Sequence, residues 1–206
     1  MTNLFKKCLS AEYIHTAEGG DYAIQVEGDT LYILFECSDD KEDWKNNFDF
    51  PVKPYKDMRP TWYCHRGFLK VWKAMRDEIE EQVADLLSKK KDIQNITCVG
   101  YSHGGALSVL CTEDMVYWWG SSYKVNGYGF GSPRVLWGIV PKEVKERLRD
   151  FKSIRNKHDL VTHLPPILFG FRNAGELIKI GKAFKYSPIK AHYADNYIKE
   201  LESIAQ

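Results

Sequence analysis

The sequence predicts an α/β fold, a mostly parallel central sheet with helices on both faces, in a single domain of residues 1–206. Three observations predict it. Helical and strand-like segments alternate along the chain, the order that a parallel sheet with crossover helices produces. A buried apolar strand runs straight into Gly100-Tyr101-Ser102-His103-Gly104, and a helix-compatible segment follows at once. Finally, 206 residues with 44% hydrophobic content can bury one sizeable core, and no repeat, low-complexity tract or linker marks an internal boundary.

Taken in order, residues 22–26 and 31–37 are apolar runs around the turn Glu27-Gly28-Asp29 and read as a hairpin. Residues 39–62 carry charges, two asparagines and three prolines, and read as a long irregular loop of the kind that serves function in a compact domain. Within it, Asp43-Trp44 and the following prolines fit a lid or pocket wall as well as an ordered surface loop. From Phe68 the apolar residues Val71, Trp72, Met75, Ile79, Val83 and Leu86 recur every three or four positions, the stripe of an amphipathic helix. Lys89-Lys90-Lys91 suits its carboxyl end.

A strand over 93–99 leads to the glycine-rich turn, and a second helix runs to about residue 119. Residues 124–130 form a strand closed by Gly131-Ser132-Pro133. Pro141 opens a charged helix to 149, and 151–155 is a short strand followed by polar Asn156-Lys157-His158-Asp159. Two runs flanking Arg172-Asn173-Ala174-Gly175 read as hairpin-like, and 191–204 as a terminal helix.

Charge and composition exclude several function classes. Lys and Arg total 29 against 28 Asp and Glu, a net charge of +1, which lacks the basic excess that nucleic-acid binding needs. The amino terminus has no apolar stretch resembling a secretory signal, and no segment is long and apolar enough to span a bilayer. Five widely spaced cysteines without a Cys-x-x-Cys pair argue against a zinc or redox site and for a reduced, cytoplasmic setting.

The turn at Ser102 carries the chemistry. A serine on so sharp a strand-to-helix turn needs glycines two before and two after it, because side chains there would collide, and the following helix directs its positive end toward developing negative charge. A serine hydroxyl becomes a useful nucleophile only when a histidine takes its proton and a carboxylate orients that histidine. In α/β-hydrolases these partners follow in the order Ser, Asp or Glu, His. His158, His163 and His192 lie far enough downstream, and Asp159 stands just past a strand, where this architecture presents functional loops. Asp159 as the acid excludes its neighbour His158 and disfavours His163 four residues on, leaving His192 as the base. No metal or organic cofactor is required.

Several further segments extend this pattern. His65-Arg66-Gly67-Phe68, Gly100 to Leu107, Gly131-Ser132-Pro133-Arg134-Val135, and the stretch from Asn156 to Pro166 together resemble the class 3 (fungal-type) lipase family, over roughly residues 22–201. The resemblance implies an α/β-hydrolase with Ser102 as nucleophile, Asp159 as acid and His192 as base, the last followed by Tyr197. It also implies an oxyanion donor after an early strand, at Phe35-Glu36-Cys37-Ser38, where Glu36 and Cys37 replace the family's Arg and Gly. Ser38 keeps the hydroxyl-bearing position, and the N–H of His103 supplies the second donor. The His103 ring either lines the acyl pocket or points to solvent.

His65 reads as a packing residue, His163 as a loop residue near the site, and Tyr117-Trp118-Trp119 as packing for the second helix. The expected activity is hydrolysis of lipid or small carboxylic esters through an acyl-enzyme, with transient contact to a lipid interface. Acyl transfer or thioester cleavage would use the same three residues, and the altered Glu36-Cys37 segment keeps a non-catalytic binding protein as a third reading.

Overall fold

A computed structural model describes residues 1–17, 20–37, 51–182 and 185–204 of the chain. Helix α1 (Thr2–Leu9) is followed by strands β1 (Tyr22–Glu27) and β2 (Thr30–Phe35). Two short strands, β3 (Val52–Tyr55) and β4 (Trp62–His65), precede the long helix α2 (Arg66–Lys89) and strand β5 (Asn95–Tyr101). Helix α3 (His103–Trp119), strand β6 (Lys124–Phe130) and the two-residue strand β7 (Leu136–Trp137) come next. Then follow helix α4 (Lys142–Arg147), strand β8 (Phe151–Asn156), the short β9 (Phe171–Arg172), β10 (Glu176–Ile180) and helix α5 (Ala194–Ile204). Single 3-10 turns stand at Val161–His163, Ile167–Phe169 and Lys190–His192.

The main sheet has the order β1-β2-β5-β6-β8-β10. Only β1 and β2 pair antiparallel, as the predicted hairpin; every other neighbour is parallel. Parallel strands covered by helices on both faces read as continuous apolar runs, and β5 is buried from Ile96 to Tyr101. Period-two alternation then divides the core. Leu31, Ile33, Phe35 and Cys98 pack under α2 and α3, while Leu34, Val99, Phe130 and Ile154 pack against α1 and α5. The predicted stripe on α2 is buried at Phe68, Trp72, Met75, Ile79 and Val83. Helix α3 is instead buried almost all round from Gly104 to Met115, so it lies in the interior behind β5. Of its terminal aromatics, Tyr117 and Trp119 pack on the core and Trp118 is exposed.

A second, antiparallel sheet has the order β3-β4-β7-β9. It corrects two expectations. The stretch read as irregular to residue 62 contains β3 and the start of β4, whose backbone pairing overrides the unfavourable Lys53 and Pro54. The run after Gly175 does not close a hairpin: β9 joins the small sheet through β7, whereas β10 crosses to lie parallel to β8. The terminal helix also begins later than expected, at Ala194. The lid reading of Asp43-Trp44 and the donor position Ser38 lie outside the described residues.

Candidate active site

Strand β5 ends at Tyr101 and helix α3 begins at His103, so Ser102 alone turns the chain from strand to helix. Its φ of 57° and ψ of −119° are a conformation that residues with side chains seldom adopt, at a cost of about 1–3 kcal/mol. Two close approaches account for the flanking glycines. A Cβ on Gly100 would stand 1.9 Å from the Gly104 carbonyl oxygen, and one on Gly104 would stand 2.4 Å from the carbonyl oxygens of Phe35 and Glu36. The end of β2 therefore presses on the elbow. The Ser102 N–H donates to the Phe130 carbonyl at 2.9 Å, tying the turn to β6.

Asp159 and His192 arrive from separate loops. Asp159 follows β8 and is fully buried; its Oδ1 accepts the Val161 N–H at 2.9 Å. His192 lies in the 3-10 turn before α5, not within the helix, and its ring stacks on Tyr101 at 5.2 Å between centroids. The Tyr101 hydroxyl donates to the His192 carbonyl, and Asn156 Nδ2 donates to the Ala191 carbonyl at 2.9 Å. So held, His192 places Nδ1 2.9 Å from Asp159 Oδ2 and Nε2 2.8 Å from Ser102 Oγ. With Asp159 ionised, this geometry suits a neutral imidazole that donates from Nδ1 to the carboxylate and accepts the serine proton at Nε2.

The structure thus brings together Ser102, Asp159 and His192 and leaves the other histidines outside the line. His163 points Nδ1 at the backbone carbonyl of Asp159, 2.8 Å away, and desolvation holds its pKa below the ordinary value. His158 neighbours the acid at a positive φ of 67°. His65 caps α2, accepting the Gly67 N–H at 3.2 Å and packing on Phe68, as expected. His103 opens α3, at the positive end of the helix dipole, and its half-buried ring lies 5.4 Å from Phe68 rather than pointing to bulk solvent.

Two contributors escaped the sequence reading. Tyr101 occupies a variable place in the elbow motif, so its stacking on His192 has no motif to announce it. Gly131, at φ +59°, gives His192 its room, since a Cβ there would sit 3.0 Å from Cε1. The buried Arg134 of the same Gly-Ser-Pro-Arg-Val segment donates to the carbonyls of His163 and Pro165, and Arg155 donates to that of Thr162, pinning the acid loop. Among the described residues, His15, Asp21 and Glu36 bring metal-competent atoms within 4.8 Å of one another, but His15 and Asp21 already pair at 2.8 Å and none of the three belongs to the hydrogen-bonded line.

Comparison with known proteins gives a consistent result. The family model for lipase (class 3) matches residues 32–169. A lipase of Rhizomucor miehei is 31% identical over 159 residues, covering 75% of this chain and 43% of the relative. A secreted mono- and diacylglycerol lipase of Malassezia globosa is 29% identical (77% and 51% covered), and phospholipase A1-IIalpha of Arabidopsis thaliana is 26% identical (67% and 39%). The chain therefore spans about half the length of the curated relatives it matches, or less. Among solved structures, the Rhizomucor miehei lipase propeptide complex superposes with a TM-score of 0.72 at 24% identity, covering 84% of this chain and 56% of that one. Lipase II from Rhizopus niveus gives 0.71 at 20% identity, covering 82% and 64%. The shared fold is the α/β-hydrolase.

Proposed function

The chain belongs to the class 3 lipase family, and from that premise we propose that it hydrolyses carboxylic esters of lipids through an acyl-enzyme on Ser102. The observation that carries this reading is the unbroken hydrogen-bonded line from Ser102 Oγ through His192 to a buried Asp159. Ser102 attacks the ester carbonyl while His192 Nε2 takes its proton; His192 then returns that proton to the leaving alcohol, and Asp159 stabilises the imidazolium between the two events. Water, activated by the same histidine, releases the acid and restores the serine.

For the tetrahedral oxyanion we propose the backbone N–H groups of Ser38 and His103. Support comes from the contact of the Phe35 and Glu36 carbonyls with Gly104, which brings the end of β2 to the elbow, and from the place of His103 at the start of α3. We read residues 1–206 as one domain. The assembled Ser–His–Asp line weighs against a binding protein without turnover, while acyl transfer and thioester cleavage would use the same residues and separate by product analysis.

The expected cytoplasmic setting meets an opposing indication, since two relatives are secreted by name. No helix among the described residues is long and apolar enough to cross a membrane. A fluorophosphonate probe tests the central reading. It should label Ser102 in folded protein and release nothing from Ser102→Ala; folded protein that stays unlabelled and turns over no short-chain ester would overturn it.

A further inference from the structure

The small sheet carries an apolar surface that the chemistry at Ser102 does not use. Ile139 is 97% exposed and Leu168 is 95% exposed, and Ile167, Phe169 and Tyr63 also face solvent. Three consecutive large apolar residues on an exposed turn are unusual in a protein surrounded only by water. They form one patch. Tyr63 pairs with Trp137 across β4 and β7, their rings 5.9 Å apart; Trp137 Nε1 donates to the Phe169 carbonyl at 2.7 Å, and the Gly138 N–H donates to the Gly170 carbonyl at 2.9 Å. The backbone hydrogen bonds hold the tips in place, so little ordering entropy opposes their burial.

The segments that build the patch carry basic and no acidic side chains. None of the chain's 28 acidic residues falls within 60–66, 134–142 or 163–175, although Glu143 and Glu176 adjoin their ends, whereas the exposed Arg66, Lys142 and Arg172 do. A groove of about 560 Å³ beside it is lined by Leu136, Ile139, Lys145, Leu148, Arg149 and Arg172 among others, again with no carboxylate. Tyr63 and Trp137 are the amphipathic aromatics that favour a boundary between hydrocarbon and water. Ring contacts connect the patch to the nucleophile: Phe171 lies 6.0 Å from His65, His65 4.3 Å from Phe68, and Phe68 5.4 Å from His103.

We propose that this face, centred on Ile139 and Leu168 with Trp137 behind them, is a fixed docking plate for an anionic lipid surface. The proposal builds on the lipid-ester reading and adds the orientation and the charge of the surface on which the enzyme works. Apolar tips enter the acyl boundary while the arginines and lysines pair with lipid phosphates, a combination whose strength rises with buried apolar area and with anionic lipid content.

The test is vesicle flotation of the whole chain with equal parts phosphatidylcholine and phosphatidylglycerol, and with phosphatidylcholine alone. The chain should float with the mixed vesicles, more weakly at high salt, and less with the neutral ones. The double variant Ile139→Asp/Leu168→Asp should reduce binding by about tenfold or more, with unchanged turnover of a water-soluble short-chain ester and an unchanged melting temperature. Leu168→Ser alone should give an intermediate loss. Equal binding by the double variant and the parent, no binding of the parent to either vesicle, or a dimer of the parent that the double variant abolishes would each overturn the proposal. Flotation needs no turnover, so loss of the docking plate and failure of ester hydrolysis are read separately.

Discussion

The phenolic hydroxyl of Tyr197 donates to Asp159 Oδ2 at 2.6 Å, the same oxygen that accepts from His192 Nδ1. Tyr197 is itself fully buried, and the Asn156 N–H donates to its oxygen at 3.0 Å, so strand β8, helix α5 and the acid loop meet at one phenol. Burial and the facing carboxylate both push the phenol pKa well above its ordinary value, which keeps it a donor throughout the working range. Tyr197→Phe removes that donor and leaves Asp159 less restrained. A hydrogen bond to a charged group contributes about 1.5–3 kcal/mol, so kcat on a short-chain ester should fall roughly tenfold or more with KM little changed. Steady-state kinetics beside a thermal melt would check this; an unchanged kcat would remove Tyr197 from the catalytic argument.

Gly131→Ala tests the room left for the base. The new methyl would meet His192 Cε1 at 3.0 Å and Nδ1 at 3.1 Å, at a φ that alanine adopts at a cost of about 1–3 kcal/mol. A misplacement of about 1 Å in a catalytic group lowers rates by about 100-fold, so the smaller shift these contacts demand should lower the rate by on the order of tenfold. The expected outcome is slow fluorophosphonate labelling in a protein whose circular dichroism matches the parent.

The choice of histidine is tested by two alanine variants. His192→Ala should cost about a million-fold in kcat, the order seen when the base of such a triad is lost. His163→Ala should stay within a few-fold of the parent, because its Nδ1 faces a backbone carbonyl and not the nucleophile. The reverse pattern in matched assays would reassign the base.

Asp114 makes stability depend on pH. It is fully buried on α3, and desolvation, with Glu80 nearby, pushes its carboxyl up to about 8, from an unfolded value near 3.8. The folded state therefore holds a proton that the unfolded chain has released. This group's contribution is fully present below pH 3.8 and is lost as pH rises toward 8. Asp114→Asn keeps an acceptor for the Tyr55 hydroxyl, now at 3.2 Å, without the ionisation. Its melting temperature should exceed the parent's at pH 9 and converge with it near pH 4; parallel curves would show that the group does not titrate on folding.

Arg147 and Glu113 form a buried pair between α4 and α3, Nη2 to Oε1 at 2.6 Å, with Glu113 wholly inaccessible. Arg147→Met would strand the carboxylate, at a cost of about 3–5 kcal/mol. Adding Glu113→Leu should recover most of that loss in urea unfolding, because the expense lies in one unpaired charge rather than in the missing attraction.

The parts of this protein that are legible in its sequence are those where a local pattern and a geometric necessity coincide. Gly100-x-Ser102-x-Gly104 could be read because the backbone leaves no room for side chains at those glycines. The stripe on α2 and the run of β6 could be read because burial imposes their periods. Asp159 and His192 followed from chain order, although the 3-10 turn that carries His192 did not. What stayed hidden depends on distant partners. Strands β7 and β9 have two residues each and exist because β7 pairs with β4 on one side and β9 on the other, β3 looks like loop until β4 lies beside it, and β10 reaches β8 by a crossover that no neighbouring residue signals. Tyr101 was hidden as a functional contact for the same reason, since its partner stands 91 positions away, and Tyr197, although marked by the family resemblance, gave no sign of its bond to Asp159, 38 positions away.

Ser102 and His192 are 90 positions apart, and the hydrogen bond between them closes only when β6, β8 and α5 have all docked. Parallel sheets gather their contacts late, because each strand waits for a crossover to return. The state of the proposed nucleophile therefore reports on assembly. Until those elements dock, Ser102 lacks the imidazole that the proposed reaction needs to take its proton, so on that reading reactivity and tertiary assembly are acquired together.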